Sequence, residues 1–344
     1  MKHNYQPKPL FIERMKELLG ETDYGKYEKA MENESPRSIR VNTLKITISK
    51  LKKRLEEKSW ILNQPFKDYP EIIIIENELQ PGELGRSIEH LLGYYYVQEI
   101  ASMLPAIVLN PKRDEIVLDL CAAPGSKTTQ MAMMMENKGT IIANDAKLDR
   151  IKILASNLER CGVTNTILTR RDGISLCNKI AENNKKGGDI VGGTLLQKGG
   201  VSVRGTLVPL MFDKILVDAP CSGEGTIRSS PKTLLMWNIN TVKSLSKLQK
   251  KLLESAFEIL KPNGELVYST CTHAPEENEE VLDFILKKFK NVKIEKILVP
   301  VKCREGIEKW QEKEYSKDVR HSCRIYPQIT NTDGFFISKL RKTK

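Results

Sequence analysis

The sequence predicts an α/β fold in which a doubly wound, mainly parallel sheet follows a small α+β domain. After residue 110, short apolar segments typical of buried strands alternate with amphipathic helical segments, as in consecutive βαβ units. Before residue 110 the pattern is mixed, with strand, helix and strand in an irregular order. We therefore predict two domains, at residues 1–109 and 110–344.

In the N-terminal domain, residue spacing distinguishes the helices from the strands. Residues 10–19 and 24–31 have helical spacing, residues 49–58 are predicted to form a charged helix, and a further helix is expected at residues 98–109. Residues 38–44 alternate like a half-buried strand, and the isoleucine run at 72–75 is typical of another strand.

In the second domain, the alternation predicts each element in turn. We expect strands at residues 116–120, 140–144, 166–169, 213–218, 265–269 and 335–340. We expect helices at residues 126–135, 148–160, 241–260 and 276–288. The glycine-rich stretch 183–209 interrupts this order, and we predict an inserted surface hairpin or loop there. The basic residues of this insertion are expected either to contact a phosphate backbone or to remain solvated; they are Lys185, Lys186, Lys198 and Arg204.

Composition narrows the class of protein. The 344 residues are 40% apolar and 29% charged, and no apolar run is long enough for a membrane span. The first residues lack the apolar core of a secretion signal. Seven cysteines without metal-type pairs favour reduced thiols in a cytoplasm over a disulfide scaffold or a zinc site. A net charge of +11 indicates a polyanionic partner, for which nucleic acid is the leading candidate.

Two cysteines each follow a predicted strand: Cys221 in Asp218-Ala-Pro-Cys-Ser-Gly and Cys271 in Tyr268-Ser-Thr-Cys-Thr. The carboxyl ends of parallel strands line the ligand crevice of such sheets, so we expect both thiols to face one cleft. Thiolates are strong nucleophiles near neutral pH, and two in one site indicate covalent chemistry with divided roles. The alternative is a pair of buried cysteines that act as small apolar side chains.

A cofactor-binding turn is predicted at Asp119-Leu-Cys-Ala-Ala-Pro-Gly-Ser-Lys-Thr128, between a strand and a helix. A P-loop requires glycine where Ser126 precedes Lys127, and the three spaced glycines of a dinucleotide-binding turn are also missing. The small residues that remain allow the backbone to approach a ligand, and Asp119 is placed to hold an ammonium group.

Acidic residues also follow the next two strands, Asp145 after one and Asp172 after the other. Carboxylates at the position of Asp145 bind ribose hydroxyls in sheets of this kind. Three acids in strand order suit a ligand with a ribose, an adenine amino group and a positive centre, which predicts S-adenosylmethionine. For any one of these acids alone, a helix cap is the commoner role.

The cofactor turn and the two cysteine segments together resemble the Nol/Nop/Sun group of RNA cytosine-5 methyltransferases. Weaker matches extend the likeness over most of the chain from about residue 24: Ser38-Ile-Arg-Val-Asn-Thr, Gln98-Glu-Ile-Ala-Ser, His273-Ala-Pro-Glu-Glu-Asn-Glu and Asp333-Gly-Phe-Phe. The resemblance implies a Rossmann-like methyltransferase sheet, a small N-terminal α+β RNA-binding domain and S-adenosylmethionine as cofactor. The chain departs from the group in its glycine-rich insertion and in Ser126, where many members carry glycine.

The same resemblance implies roles for individual residues. Cys271 would be the nucleophile and Cys221 would assist product release, with Asp218 and Lys127 completing the catalytic set. The residues that would line the cofactor site are Cys121, Ala122, Ala123, Pro124, Gly125, Ser126, Lys127, Asp145, Arg150, Asp172 and Asp218.

The expected chemistry follows from the poor nucleophilicity of carbon 5 of cytosine. Addition of the Cys271 thiolate to carbon 6 would make carbon 5 an enamine-like nucleophile that can take a methyl group. Asp218, as a neutral acid, would bond ring nitrogen 3, and Cys221 would remove the carbon 5 proton before elimination. The base must leave its stack to reach such a site, so a structured RNA is expected.

Several alternatives remain open at this point. A DNA cytosine-5 methyltransferase would use Cys221 as its nucleophile, and a non-catalytic RNA-binding assembly factor would use neither cysteine. Among RNA substrates we favour tRNA over rRNA, because the chain resembles the compact tRNA enzymes of the group. No membrane association or obligate protein partner is indicated. The candidate phosphate contacts are Arg40, Arg228, Lys52, Lys53 and Arg54, although a solvated role is commoner for each.

Overall fold

The computed structural model describes residues 6–185, 200–203 and 206–344. Its N-terminal part contains a four-stranded antiparallel sheet in the order β2-β3-β1-β4. The strands are β1 (Arg37–Val41), β2 (Leu62–Asn63), β3 (Ile72–Ile75) and β4 (Tyr95–Val97). The helices are α1 (Pro9–Leu19), α2 (Glu21–Met31), α3 (Ile48–Glu56), α4 (Glu83–Arg86), α5 (Ile88–Leu91) and α6 (Ile100–Leu109).

The rest of the chain forms an α/β unit around one large sheet. The helices are α7 (Ser126–Met134), α8 (Leu148–Cys161), α9 (Gly173–Lys185), α10 (Thr233–Met236), α11 (Ile239–Glu258), α12 (Glu279–Lys288) and α13 (Pro327–Thr330). The strands are β5 (Ile116–Asp119), β6 (Thr140–Asn144), β7 (Thr166–Thr169), β8 (Gly200–Val203), β9 (Thr206–Pro209), β10 (Phe212–Asp218), β11 (Leu260–Thr270), β12 (Val292–Glu295), β13 (Arg304–Glu305), β14 (Lys309–Trp310), β15 (Lys313–Glu314), β16 (Cys323–Ile325) and β17 (Phe335–Lys342).

The large sheet has the order β13-β16-β17-β11-β10-β5-β6-β7, with β12 also paired to β17. The five strands from β11 to β7 are parallel, and β17 runs antiparallel to β11. The carboxyl ends of β5, β10 and β11 therefore lie side by side, with Asp218 opposite Ser269 in the register. This edge of the sheet positions the candidate site.

The almost fully buried helix α6 connects the two parts of the molecule. Its apolar side chains pack in one cluster with Ile72 of the N-terminal sheet and with Val117, Leu216 and Val267 of the large sheet. Each of these four residues is inaccessible to solvent. Burial on this scale contributes roughly 2 kcal/mol per large aliphatic side chain, so α6 secures the N-terminal sheet against the large one.

The predicted fold class, a doubly wound sheet with a smaller α+β part before it, is confirmed. The glycine-rich insertion contains the antiparallel strands β8 and β9, which form a hairpin. The remaining residues of that insertion from 186 onwards, including Lys186, Lys198 and Arg204, lie outside the described residues. Among the described helices, none has the length and apolar character needed to cross a membrane.

Candidate active site

The structure brings the two predicted cysteines together at the carboxyl ends of β10 and β11. The Sγ atoms of Cys221 and Cys271 are 3.2 Å apart, and both residues are partly exposed. The hydrogen bond to Cys271, together with burial, raises the pKa of the Cys221 thiol. Cys221 therefore stays protonated near neutral pH in the free protein.

Backbone and hydroxyl contacts join the two cysteine loops. The Gly225 amide donates to the Cys271 carbonyl oxygen at 2.9 Å. The hydroxyls of Ser222 and Thr272, each one residue past a cysteine, are 2.8 Å apart. A Cβ at Gly225 would lie 2.1 Å from the carbonyl oxygen of Gly334, so only glycine allows the loop to approach β17 this closely.

An ion pair lies beside the thiols. The Lys127 ammonium is 2.7 Å from Asp218 Oδ2, and it also donates to the Ser102 hydroxyl at 3.0 Å. The Ser269 hydroxyl donates to Asp218 Oδ1 at 2.7 Å, and Lys127 lies 5.4 Å from the ring centre of Phe335. Opposite charges at this distance hold each other in place.

Ser102, Ser269 and Phe335 were not among the residues that the sequence singled out. Signals were present for each of them. Ser102 and Phe335 fall within weakly matched segments, and Ser269 lies two residues before Cys271. The sequence could not show what these residues contact: Ser102 and Phe335 contact Lys127, and Ser269 contacts Asp218.

A cavity of about 260 Å³ opens between the cofactor turn and this ion pair. It is lined by Ser102, Asp119, Cys121, Ala122, Ala123, Pro124, Ser126, Lys127 and Asp218. Gly125 lies in the same turn, with a φ of 106° that favours glycine. A Cβ at that position would lie 2.8 Å from Leu154 Cδ1, so a larger residue would also require the Leu154 side chain to move. Burial raises the pKa of the Cys121 thiol, which makes this cysteine a poor nucleophile.

Asp119 provides a direct test of whether the cavity fits S-adenosylmethionine. Its side chain is 1% exposed, and its Oδ2 accepts a hydrogen bond from Thr128 at 2.7 Å. Its Oδ1 is buried and has no partner within the described chain. Burial raises the pKa of Asp119 to about 7. An unpartnered buried carboxylate oxygen in a polar cavity fits the ammonium group of this cofactor, because a buried charge is stable only when it is paired.

The other predicted cofactor residues, Asp145, Arg150 and Asp172, are not among the residues that line this cavity. Asp145 is buried, accepts the Lys147 amide at 3.0 Å and forms a 3.2 Å ion pair with Arg150. Arg150 also donates to the carbonyl oxygen of Ala123 in the cofactor turn. Asp172 is exposed, and its Oδ1 accepts the Ser175 amide at 2.9 Å in the first turn of α9. Asp172 thus caps helix α9, which is the commoner role for a single acid at the end of a strand.

Two of the expected phosphate contacts were wrong. Arg40 is 1% exposed, and its guanidinium is held internally by Gln98, Thr129 and the Ser126 carbonyl oxygen. Arg228 is 9% exposed and donates to main-chain carbonyl oxygens of residues 33 and 34. Both guanidiniums hold protein segments together, so neither is presented to a ligand.

The parallel sheet, the small-residue turn and its buried acid define the class of S-adenosylmethionine-dependent methyltransferases. Residues 106–341 match the family described as 16S rRNA methyltransferase RsmB/F. Residues 8–100 match the N-terminal domain of 16S rRNA methyltransferase RsmF. The chain belongs to this family of RNA methyltransferases. The predicted resemblance and the predicted enzyme class, an S-adenosylmethionine-dependent RNA (cytosine-5) methyltransferase, are confirmed.

Individual relatives differ in the RNA that their names specify. The tRNA (cytosine(49)-C(5))-methyltransferase of Pyrococcus abyssi (strain GE5 / Orsay) is 43% identical over 89% of this chain and 88% of its own length. Ribosomal RNA small subunit methyltransferase F of Aliivibrio salmonicida (strain LFI1238) is 40% identical over 89% of this chain, which spans only 58% of that relative. A solved methyltransferase homolog protein from Pyrococcus horikoshii is 36% identical, with a TM-score of 0.77 over 97% of this chain and 95% of its own.

Proposed function

We propose that this enzyme methylates a cytosine of tRNA through a covalent adduct between the RNA base and Cys271, which Cys221 then resolves. The observation that carries the proposal is the 3.2 Å contact between the two thiols, beside the Lys127–Asp218 ion pair. Two nucleophiles in contact at one strand edge suit a reaction that needs both an attacking group and a base.

The cofactor turn and Asp119 would hold S-adenosylmethionine, which supplies an electrophilic methyl group when bound. The Cys271 thiolate adds to carbon 6 of cytosine, forming a sulfur–carbon bond and shifting electron density to carbon 5. Asp218 accepts hydrogen bonds from Lys127 and Ser269, as a carboxylate does, and so does not act as the neutral acid expected from the sequence. The Lys127 ammonium that it holds offsets the negative charge that develops on the ring.

After carbon 5 carries the methyl group, its proton must leave. Once Cys271 is bonded to carbon 6, it can no longer make the hydrogen bond that raises the pKa of Cys221, and the Cys221 thiol releases its own proton to solvent. The resulting Cys221 thiolate takes the carbon 5 proton, and the electron pair of the broken carbon–hydrogen bond expels Cys271 from carbon 6. The product cytosine and the free Cys271 thiolate are thereby restored. Cys221 suits this step because a thiol with a raised pKa gives a strong base once it is deprotonated.

Two findings support tRNA as the substrate class. The Pyrococcus abyssi relative named for tRNA matches over nearly its whole length. The α3 groove, about 600 Å³ in volume, also offers a basic surface to an RNA backbone; it is lined by Thr43, Leu44, Lys45, Ile46, Thr47, Lys50, Lys53, Arg54 and Tyr94. Ribosomal RNA is the second candidate, favoured by the family descriptions and by the relatives named methyltransferase F.

Replacement of each cysteine by alanine tests the proposed chemistry. Cys271→Ala should abolish methyl transfer and give no covalent complex, because no adduct can form. Cys221→Ala should attack and methylate, and then remain bound to the RNA because proton removal and elimination are blocked. The measurement is a denaturing gel of each variant with S-adenosylmethionine and either a tRNA transcript or a 16S rRNA fragment.

The outcomes separate the competing mechanisms. A trapped band in Cys271→Ala instead of Cys221→Ala would assign the attack to Cys221, as in DNA cytosine-5 methyltransferases. If the loss of activity in both variants is no larger than their loss of stability explains, the thiols have only a packing role. A trapped band with the rRNA fragment and none with the tRNA transcript would overturn the substrate assignment while retaining the chemistry.

A further inference from the structure

A buried acid–amide pair holds the loop that carries Cys221. Glu277 Oε2 accepts the Ser222 amide at 3.0 Å and the Gln249 side-chain amide at 2.8 Å. The same nitrogen of Gln249 donates to the Pro220 carbonyl oxygen at 2.8 Å. Hydrogen bonds from this pair therefore reach the residue before Cys221 and the residue after it.

This pair is costly to bury, and its contacts are directed at one loop. Glu277 and Gln249 are both inaccessible to solvent. Burial raises the pKa of Glu277 to about 7, and the carboxyl forms no ion pair with any described residue. The Oε1 atom of Gln249 is buried and without a partner in the described part of the chain. An apolar pair would fill this space at lower cost, since each buried polar atom needs its own partner.

The pair itself is anchored from behind. The Tyr268 hydroxyl donates to the Glu277 carbonyl oxygen at 2.6 Å. Asn278, the next residue, accepts the Thr270 hydroxyl at 2.6 Å and donates to the Thr272 carbonyl oxygen at 3.0 Å. These contacts fix the backbone of Glu277 to the end of β11, the strand that also carries Cys271.

The two cysteines differ in how they are supported. Cys271 directly follows β11, whose pairing with β10 and β17 fixes its position. Cys221 lies in the irregular segment between β10 and the short 3-10 helix Glu224–Thr226, where no strand ladder fixes the backbone. Side-chain hydrogen bonds must do there what sheet pairing does for Cys271.

We infer that Glu277 and Gln249 are positioning residues for Cys221, which keep its thiol against Cys271 for the release step. This inference rests on the proposed roles of the two cysteines. Loss of the pair should let the Cys221 loop move and leave Cys271 in place. Product release should therefore suffer more than the attack on the base, which is also the outcome expected for Cys221→Ala.

The test uses Gln249→Leu, which removes both amide hydrogen bonds at similar volume, and Glu277→Gln, which removes the charge and keeps an acceptor. Single-turnover methylation should stay close to wild type in both variants. Multiple-turnover methylation should fall by about a hundredfold in Gln249→Leu, because a displacement of about 1 Å is enough for such a loss. The covalent complex should accumulate on a denaturing gel, strongly in Gln249→Leu and less in Glu277→Gln.

Ser255→Ala is the matched control, because Ser255 is buried on the same helix and donates to the Leu252 carbonyl oxygen within that helix. It should lose stability without accumulating the complex. Cys221→Ala is the positive control. If Cys221→Ala traps the complex while Gln249→Leu and Glu277→Gln lose single and multiple turnover equally, the positioning role is overturned. If Cys221→Ala traps nothing, the proposed cysteine roles fail first, and this inference fails with them.

Discussion

Asp119 combines nearly complete burial with an unpartnered carboxylate oxygen in the cofactor cavity. Its pKa is raised to about 7 by burial, so in the free protein the carboxyl is largely protonated below that pH and ionised above it. The ionised form is the one that attracts an ammonium group. Cofactor affinity should therefore rise by about tenfold between pH 6 and 8 and then level off, as one proton leaves the site.

Asp119→Asn should remove this pH dependence, because the amide keeps the shape of the side chain and cannot ionise. Calorimetric titration of S-adenosylmethionine at several pH values between 6 and 8 measures the effect. Asp172→Asn is the control, since Asp172 is exposed and caps α9, and it should retain the wild-type profile. Equal profiles for Asp119→Asn and wild type would show that another group holds the ammonium.

At the scale of residues, the sequence predicted which side chains lie in the candidate site, but it did not predict most of their contacts. Cys221, Cys271, Asp218 and Lys127 could be placed because each follows a strand or opens a helix at one sheet edge. Arg40 could not, because the alternation of its strand gives it an exposed position. One face of β1 packs into the apolar cluster of the N-terminal sheet, and the other face lies against α7. A charged residue on that second face, such as Arg40, is therefore buried.

At the scale of elements, Arg40 connects β1 to the start of α7. It donates to the Thr129 hydroxyl and to the Ser126 carbonyl oxygen, both at 2.8 Å. Arg40→Ala should lower the free energy of unfolding by about 3 kcal/mol, because it leaves several buried acceptors without donors. Urea denaturation followed by circular dichroism measures the change.

Arg37→Ala provides the comparison on the same strand. Arg37 lies 3.6 Å from Glu34; Glu34 is well exposed and Arg37 is partly exposed, so the change should cost less than about 1 kcal/mol. A similar loss in both variants would mean that the Arg40 hydrogen bonds contribute no more than an exposed ion pair.

Several of the elements that the sequence missed have too few residues to form a pattern. Strands β13, β14, β15 and β16 contain two or three residues each, below the length at which alternation is recognisable. Helix α9 was missed because its last turns are rich in asparagine and lysine, which weakens the apolar stripe. Most of the parallel strands were found because their burial makes them continuous apolar runs.

At the scale of the whole molecule, the net charge of +11 is distributed unevenly over the surface. The α3 groove carries Lys45, Lys50, Lys53 and Arg54, and its lining contains no carboxylate. Arg54 is partly neutralised by Glu89, whereas Lys50 and Lys53 are exposed on one turn of α3. If RNA phosphates bind there, each contact releases counterions, and affinity depends on salt.

The double substitution Lys50→Glu/Lys53→Glu tests whether this groove binds RNA. Wild-type affinity for a tRNA transcript should fall linearly with salt on logarithmic axes, and the variant should have a slope smaller by about 1.5. Filter binding at several salt concentrations measures both. Lys302→Glu/Lys309→Glu makes the same change in net charge at exposed positions outside the lining of the α3 groove, one shortly before β13 and one in β14, and it should leave the slope nearly unchanged. Equal losses in the two variants would assign the effect to overall charge, because a specific contact depends on where the charges lie and a distant field depends mainly on their sum.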